Sequence, residues 1–158
     1  MNKTLVILGS TGSIGEQALD VARKNGYTVL AIAAGKSIDK LEVQAREFGV
    51  KAVAVFDEAA AKQLESRLAV TGILVLSGVS GVCEVASIKA DIVLNAIVGI
   101  AGLRPTFAAI NAKNNIALAN KETLVTAGEL VNAKAREMGI KIIPVDSEHS
   151  AIFQSLQG

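Results

Sequence analysis

Among its 158 residues the chain has one cysteine, one histidine, no tryptophan and 3% aromatics. The lone Cys83 has no partner for an internal disulfide, a pattern that fits a reducing cytoplasm. So few aromatic rings argue against a stacking platform for single-stranded nucleic acid. An excess of either charge is missing too. Sixteen Lys and Arg against fifteen Asp and Glu leave a net charge of +1, too little to set up a field for nucleic acid or an anionic membrane. No charged-then-apolar leader with a cleavage site is readable at the start. No membrane span is expected either. Such a span needs about 18 successive apolar residues, and the longest candidate, 92–103, is broken by Asn95 and two glycines.

What the chain has in abundance is apolar sequence, 51% of residues, with a mean hydropathy of +0.44. Buried parallel strands read as unbroken apolar runs, and a face that docks on further protein would add to the total. Strand-like runs at 4–8, 28–34, 52–56, 73–76, 92–97, 116–119 and 140–145 alternate with helical patterns at 13–25, 39–48, 58–68, 81–88, 105–113 and 121–138. Gly26, Gly49 and Gly139 stand just past helices, where a left-handed residue is wanted. Ser37 and Asp57 stand where N-caps belong, and Pro105 falls in a first helical turn. Repeated βα units with short links imply a doubly wound, Rossmann-like α/β fold: a mainly parallel sheet of about seven strands with helices on both faces. The regularity ends at Val145. A further helix over 148–156 either packs back on the sheet or opens a second domain, so the expected division is 1–145 and 146–158.

The first strand runs into Gly9-Ser10-Thr11-Gly12-Ser13-Ile14-Gly15 and then a helix. Glycines at loop positions 1, 4 and 7 form a variant of the dinucleotide fingerprint. They suit a tight turn, a close backbone approach to pyrophosphate and a close helix–strand crossing. The helix N-terminus offers free amides and partial positive charge to the anion, and the Thr11 and Ser13 hydroxyls add donors. Read plainly, the same residues make a glycine turn, but the strand–loop–helix setting favours a nucleotide. The second strand ends in Gly35-Lys36-Ser37, with no carboxylate before Asp39. A carboxylate there would bind the ribose 2′-OH of NAD, whereas Lys36 and Ser37 suit the 2′-phosphate of NADP. The other reading makes Lys36 a solvated loop residue and Ser37 a helix cap.

Two later strand ends are polar. Asn120-Lys121-Glu122 opens the sixth helix, as ligand groups or as a cap with a solvated first turn. Asp146-Ser147-Glu148-His149 follows the last strand. In extended backbone the two carboxylates leave one face roughly 6.5–7 Å apart, and a hard cation such as Mg²⁺ or Mn²⁺ would relieve their repulsion. The alternative is an N-cap with an acidic first turn. Spacing alone leaves both open.

Taken together, the 9–15 loop, Ala96-Ile97-Val98-Gly99 with Ala101-Gly102-Leu103, Ile116 through Glu122, and Pro144 through His149 with Ala151-Ile152-Phe153-Gln154 resemble the 1-deoxy-D-xylulose 5-phosphate reductoisomerases. The likeness runs along essentially the whole chain in the family's order and spacing. It implies NADPH- and metal-dependent isomerisation and reduction of 1-deoxy-D-xylulose 5-phosphate to 2-C-methyl-D-erythritol 4-phosphate, for isoprenoid synthesis. It also implies that Gly9, Thr11, Gly12, Ser13 and Ile14 hold the cofactor phosphates and that Gly35, Lys36 and Ser37 hold the adenosine end. Asn120 and Glu122 would line the cofactor site as well. Lys121 and Glu148 become catalytic, Lys121, Ser147 and Glu148 contact the substrate, and Asp146 and Glu148 bind Mg²⁺ or Mn²⁺. Two positions depart from the pattern: Ser37 and Ser150 stand where the family often has Asn. Family members are also much longer, with a catalytic domain, a lid and a C-terminal helical domain. The fragment supplies the cofactor site, is expected to be inactive alone and would belong to a homodimer at full length.

Two other classes compete. A stand-alone NADP-binding regulatory module needs only the glycine loop. Other NADP oxidoreductases need groups that are missing: the single tyrosine, Tyr27, has Ala31 rather than Lys four residues on, which removes the short-chain dehydrogenase pair. Cys83, in an apolar setting, is a poor candidate for a semialdehyde dehydrogenase nucleophile.

Overall fold

A computed structural model describes residues 2–119, 121–145 and 149–157, without the side chains of Lys121, His149 and Ser150. Strands β1 (Thr4–Leu8), β2 (Thr28–Ala34), β3 (Ala52–Val55), β4 (Leu74–Ser77), β5 (Ile92–Asn95), β6 (Asn115–Leu118) and β7 (Ile142–Pro144) alternate with helices. The helices are α1 (Ser13–Asn25), α2 (Ile38–Phe48), α3 (Glu58–Arg67), α4 (Gly78–Ala86), α5 (Leu103–Asn111), α6 (Lys121–Met138) and α7 (His149–Gln157). All seven strands are parallel, in the order β4-β3-β2-β1-β5-β6-β7. The winding therefore reverses between β1 and β5, as expected of a doubly wound sheet, and the crevice opens at the carboxyl ends of those two strands.

Alternation along each strand sends side chains to two cores. Leu5, Ile7, Ile32, Val53 and Leu94 pack with α1, α2, α3 and α7. Val6, Leu8, Ala31, Ala33, Ala52 and Ala54 face α4, α5 and α6. The second face is floored by alanines under α4, so that helix lies close to the sheet. A Cβ on Gly81 would come within 2.9 Å of the Leu76 Cβ. Both faces are covered, which accounts for the unbroken apolar strands and much of the high hydropathy. The remainder is on the surface: Val98 is 85% exposed and Val125 86%.

Helix ends follow the punctuation. Gly26, Gly49 and Gly139 all have positive φ, and the Asp57 carboxylate accepts the Ala60 amide at 2.8 Å. Ser37 occupies the N-cap of α2 without a side-chain cap bond. Helix α4 begins at Gly78 rather than 81, because the small residues after β4 turn directly at Gly78 (φ +71) into helix. Helix α6 is interrupted at Ala127 (φ −141, ψ 27), beside Gly128, a residue with weak helical preference. Helix α7 packs back on α1: Ile152 and Leu156 are fully buried in the same core as Ala18 and Leu5. Among the described residues no helix is long and apolar enough to cross a membrane.

Candidate dinucleotide-binding site

The glycine loop leaves β1 at the point where the winding reverses. Its first glycine is required twice over. Gly9 has φ +83, and a Cβ there would stand 2.9 Å from the Ala96 carbonyl carbon and oxygen. The third is the most crowded: a Cβ on Gly15 would lie 2.1 Å from the Gly9 oxygen, so only hydrogen lets α1 cross β1 this closely. The middle glycine differs. A Cβ on Gly12 would meet nothing nearer than the Gly9 oxygen at 3.6 Å, an ordinary contact. Packing does not demand a glycine at Gly12, which lines the crevice.

Gly12 is also the N-cap of α1 and supplies no side-chain acceptor. The first amides of α1 have no preceding helical carbonyl to reach, so they form an uncapped, electropositive end. The crevice beside it measures about 330 Å³ and is lined by Gly9, Thr11, Gly12, Ala34, Gly35, Phe56, Ala96, Ile97, Val98 and Ala101. Backbone donors therefore stand at one wall and apolar side chains at the other, which is the pairing a nucleotide wants: amides for phosphate, greasy surface for rings.

Buried polar groups hold both walls, and sequence reasoning missed them. On the loop side, the Gly9 and Ser10 amides both donate to the Ala33 carbonyl, at 2.8 and 3.0 Å. The Ser10 hydroxyl donates to Gln44 Oε1 at 2.7 Å, and Gln44 Nε2 donates to the Ser10 carbonyl at 2.9 Å. On the far side, Asn95, buried at the end of β5, donates to the Gly102 carbonyl (3.0 Å) and to Thr106 Oγ1 (2.8 Å) and accepts the Ile97 amide (3.1 Å). That clamp shapes the segment carrying Ile97, Val98 and Ala101. Asn95 was readable only as a polar residue in an apolar run.

Gly35, Lys36 and Ser37 are exposed at the end of β2. Lys36, Ser37, Ile38, Asp39 and Lys40 line a shallow hollow of about 290 Å³. The nearest carboxylate, Asp39, accepts Arg67 at 2.6 Å, and Lys40 is paired with Glu16 at 3.0 Å. Among the described residues Lys36 has no ion-pair partner, so its charge is available to an anion. Arg67 beside Asp39 is held above its ordinary range by that bond, with burial opposing. A larger hollow of about 640 Å³ runs between α1 and α2. Its walls carry the Arg23–Glu47 and Lys40–Glu16 pairs, whose charges already neutralise each other.

Glu122 is exposed in the first turn of α6. Asn120, Asp146, Ser147 and Glu148, and the side chain of Lys121, lie outside the described residues. Among the described residues no group of three or more His, Cys, Asp or Glu side chains is placed to hold a metal ion. Cys83, on α4, is half-buried; burial pushes its thiol pKa up, opposed by Arg104, the reverse of what a reactive thiolate needs.

A parallel sheet with an uncapped glycine loop at its switch point defines an α/β domain of the dinucleotide-binding type. Residues 5–128 match the family model described as 1-deoxy-D-xylulose 5-phosphate reductoisomerase. The chain belongs to that family. It is 59% identical to the reductoisomerase of Acetivibrio thermocellus over 159 residues, covering 100% of this chain and 42% of the relative. With that of Agathobacter rectalis the identity is 56% over 158 residues, 99% of this chain and 42% of the relative. The chain thus spans about 42% of the length of the curated relatives it matches. Among solved structures, the Zymomonas mobilis reductoisomerase in complex with NADPH superposes with a TM-score of 0.89 at 38% identity, over 98% of this chain and 41% of that one. A reductoisomerase complexed with NADPH, fosmidomycin and magnesium gives 0.87 at 42%, over 96% of this chain and 38% of that one. A homoserine dehydrogenase from Thiobacillus denitrificans, 22% identical with a TM-score of 0.54 over 90% of this chain and 29% of that one, shares the fold.

Proposed function

We propose that this chain binds NADPH and forms the cofactor-holding part of an enzyme that isomerises 1-deoxy-D-xylulose 5-phosphate and reduces it to 2-C-methyl-D-erythritol 4-phosphate. The observation that carries the reading is Gly12: packing does not demand a glycine there, and the residue lines the crevice beside the uncapped end of α1. The loop amides and hydroxyls of Thr11, Gly12, Ser13 and Ile14, with Gly9 making the turn, take the paired phosphates. Gly35, Lys36 and Ser37 take the adenosine end, with Lys36 opposite the 2′-phosphate. Asn120 and Glu122 line the cofactor site as well.

NADPH, when bound, supplies the hydride. This chain's work is to orient it, and the apolar wall of Phe56, Ile97, Val98 and Ala101 keeps water from the rings. Lys121 and Glu148 act on the substrate, Ser147 adds a contact, and Asp146 with Glu148 holds Mg²⁺ or Mn²⁺. The two carboxylates are hard oxygen donors of the kind such ions prefer. A bound divalent ion would supply Lewis acidity toward the substrate oxygens. Residues 1–145 are the cofactor domain and 146–158 lead from it into the catalytic one, with α7 packed back on α1. The full-length protein is a cytoplasmic homodimer, and this portion alone turns nothing over.

Calorimetric titration with NADPH and then NADH tests the reading. NADPH is expected to bind the more tightly. Lys36→Gln weakens NADPH by about tenfold, the worth of one charge-assisted contact, and leaves NADH unchanged. Equal affinity for the two cofactors in the wild-type chain would remove the 2′-phosphate assignment.

A further inference from the structure

Helix α2 turns its apolar face to the sheet through Leu41 and Ala45, both fully buried, yet the same face carries Gln44. A glutamine there costs side-chain entropy and desolvation unless it is well paired. Its pairing is complete and local. The amide nitrogen must face the Ser10 carbonyl, because a carbonyl only accepts, and that fixes the amide oxygen on the Ser10 hydroxyl. With the Ser10 amide on Ala33, all three polar groups of Ser10 are engaged, and its side chain is fully buried. The next residue is Thr11, and after it comes the uncapped start of α1.

We infer that Gln44 is a positioning residue for the glycine loop: through Ser10 it sets the direction of the amides of Thr11, Ser13 and Ile14 before the cofactor arrives, the Gly12 amide being held by the Gly9 carbonyl at 3.2 Å. The inference rests on the NADPH reading above. Preorganised donors bind an anion more tightly than donors that must be ordered on binding. Ser37 is the N-cap of the same helix, so one rigid element ties the phosphate loop to the adenosine end.

The test uses the 158-residue chain, with NADPH and adenosine 2′-monophosphate as separate probes; the second lacks the pyrophosphate. Gln44→Met keeps length and removes both hydrogen bonds. It is expected to weaken NADPH by about fivefold to twentyfold, the range set by losing two part-buried bonds, while adenosine 2′-monophosphate binds within about twofold of wild type. Ser10→Ala removes one bond and should give a smaller loss of the same kind. It carries the test should Gln44→Met not fold. In the double variant the losses should be less than additive. Unchanged NADPH affinity in a folded variant overturns the inference, as does an equal loss for both probes, which would mean that α2 has simply shifted. A wild-type chain that fails to bind NADPH overturns the cofactor reading and this inference with it.

Discussion

The two ends of the sheet are built from the same strands and treated in opposite ways. At the amino ends, polar side chains stitch the connections shut. The Asp91 carboxylate accepts the Thr4 amide and hydroxyl at 2.8 and 3.1 Å, and the Thr4 hydroxyl accepts the Asp91 amide at 2.9 Å. Asn114, fully buried, donates to the Ala86 and Ile88 carbonyls and accepts the Ala90 amide. At the carboxyl ends of β1 and β2, glycines replace such side chains and the helix start is left uncapped. Polar groups buried in protein must be paired within it. Groups meant for a ligand must be held in place and left open. The difference separates stability from binding by position along the strand.

Substitutions can break or sharpen that contrast. Gly15→Ala should have the largest effect. Its Cβ cannot fit 2.1 Å from the Gly9 oxygen, so about 3 kcal/mol of stability is lost, a fall in Tm of about 6–12 °C, and NADPH binding goes with it. Asn114→Leu comes next, because three backbone groups are left unpaired: about 2 kcal/mol on chemical denaturation, with NADPH affinity of the folded protein unchanged. A loss of affinity there would show that the two ends are coupled. Gly12→Ala should do the reverse, moving Tm by less than about 2 °C, since the Cβ finds room, while NADPH weakens at least about tenfold. An unchanged titration would sink the phosphate assignment.

Asp91→Asn is the smallest. The bond from the Thr4 amide holds the Asp91 carboxyl below its ordinary value, against the opposing effect of burial and with the Thr4 hydroxyl, Lys3 and Lys89 helping. A depressed carboxylate contributes stability at neutral pH, and that contribution disappears as pH falls through the folded-state value. The variant should be about 0.5 kcal/mol less stable at pH 7, a small figure because the group is solvent-screened. The two proteins should converge on acidification below the ordinary carboxylate range. A gap that persists in acid would assign the effect to the hydrogen-bond geometry rather than to charge.

Much of this was legible beforehand. The order of elements, the glycine stops at Gly26, Gly49 and Gly139 and the glycine loop after β1 are local matters of period, propensity and φ. Boundaries slipped where local signals were weak: β5 ends at Asn95, two residues short of the apolar run, because Asn95 turns inward to bind Gly102 and Thr106. The kink in α6 at Ala127 lies within a pattern that reads as one helix.

Composition, period and the three loop glycines determined by themselves that this chain is a parallel α/β domain with a glycine loop after its first strand, since these depend on neighbours within a turn or two. Tertiary structure alone decided which glycines the fold needs and which it leaves for a ligand, and which polar residues clamp the crevice. It also decided that α7 returns to the α1 face. Several of those outcomes depend on distant parts of the chain, such as Ser10 and Gln44, 34 residues apart, or Gly9 against Ala96. No local pattern records such meetings, because close packing sets them only when the whole sheet is assembled.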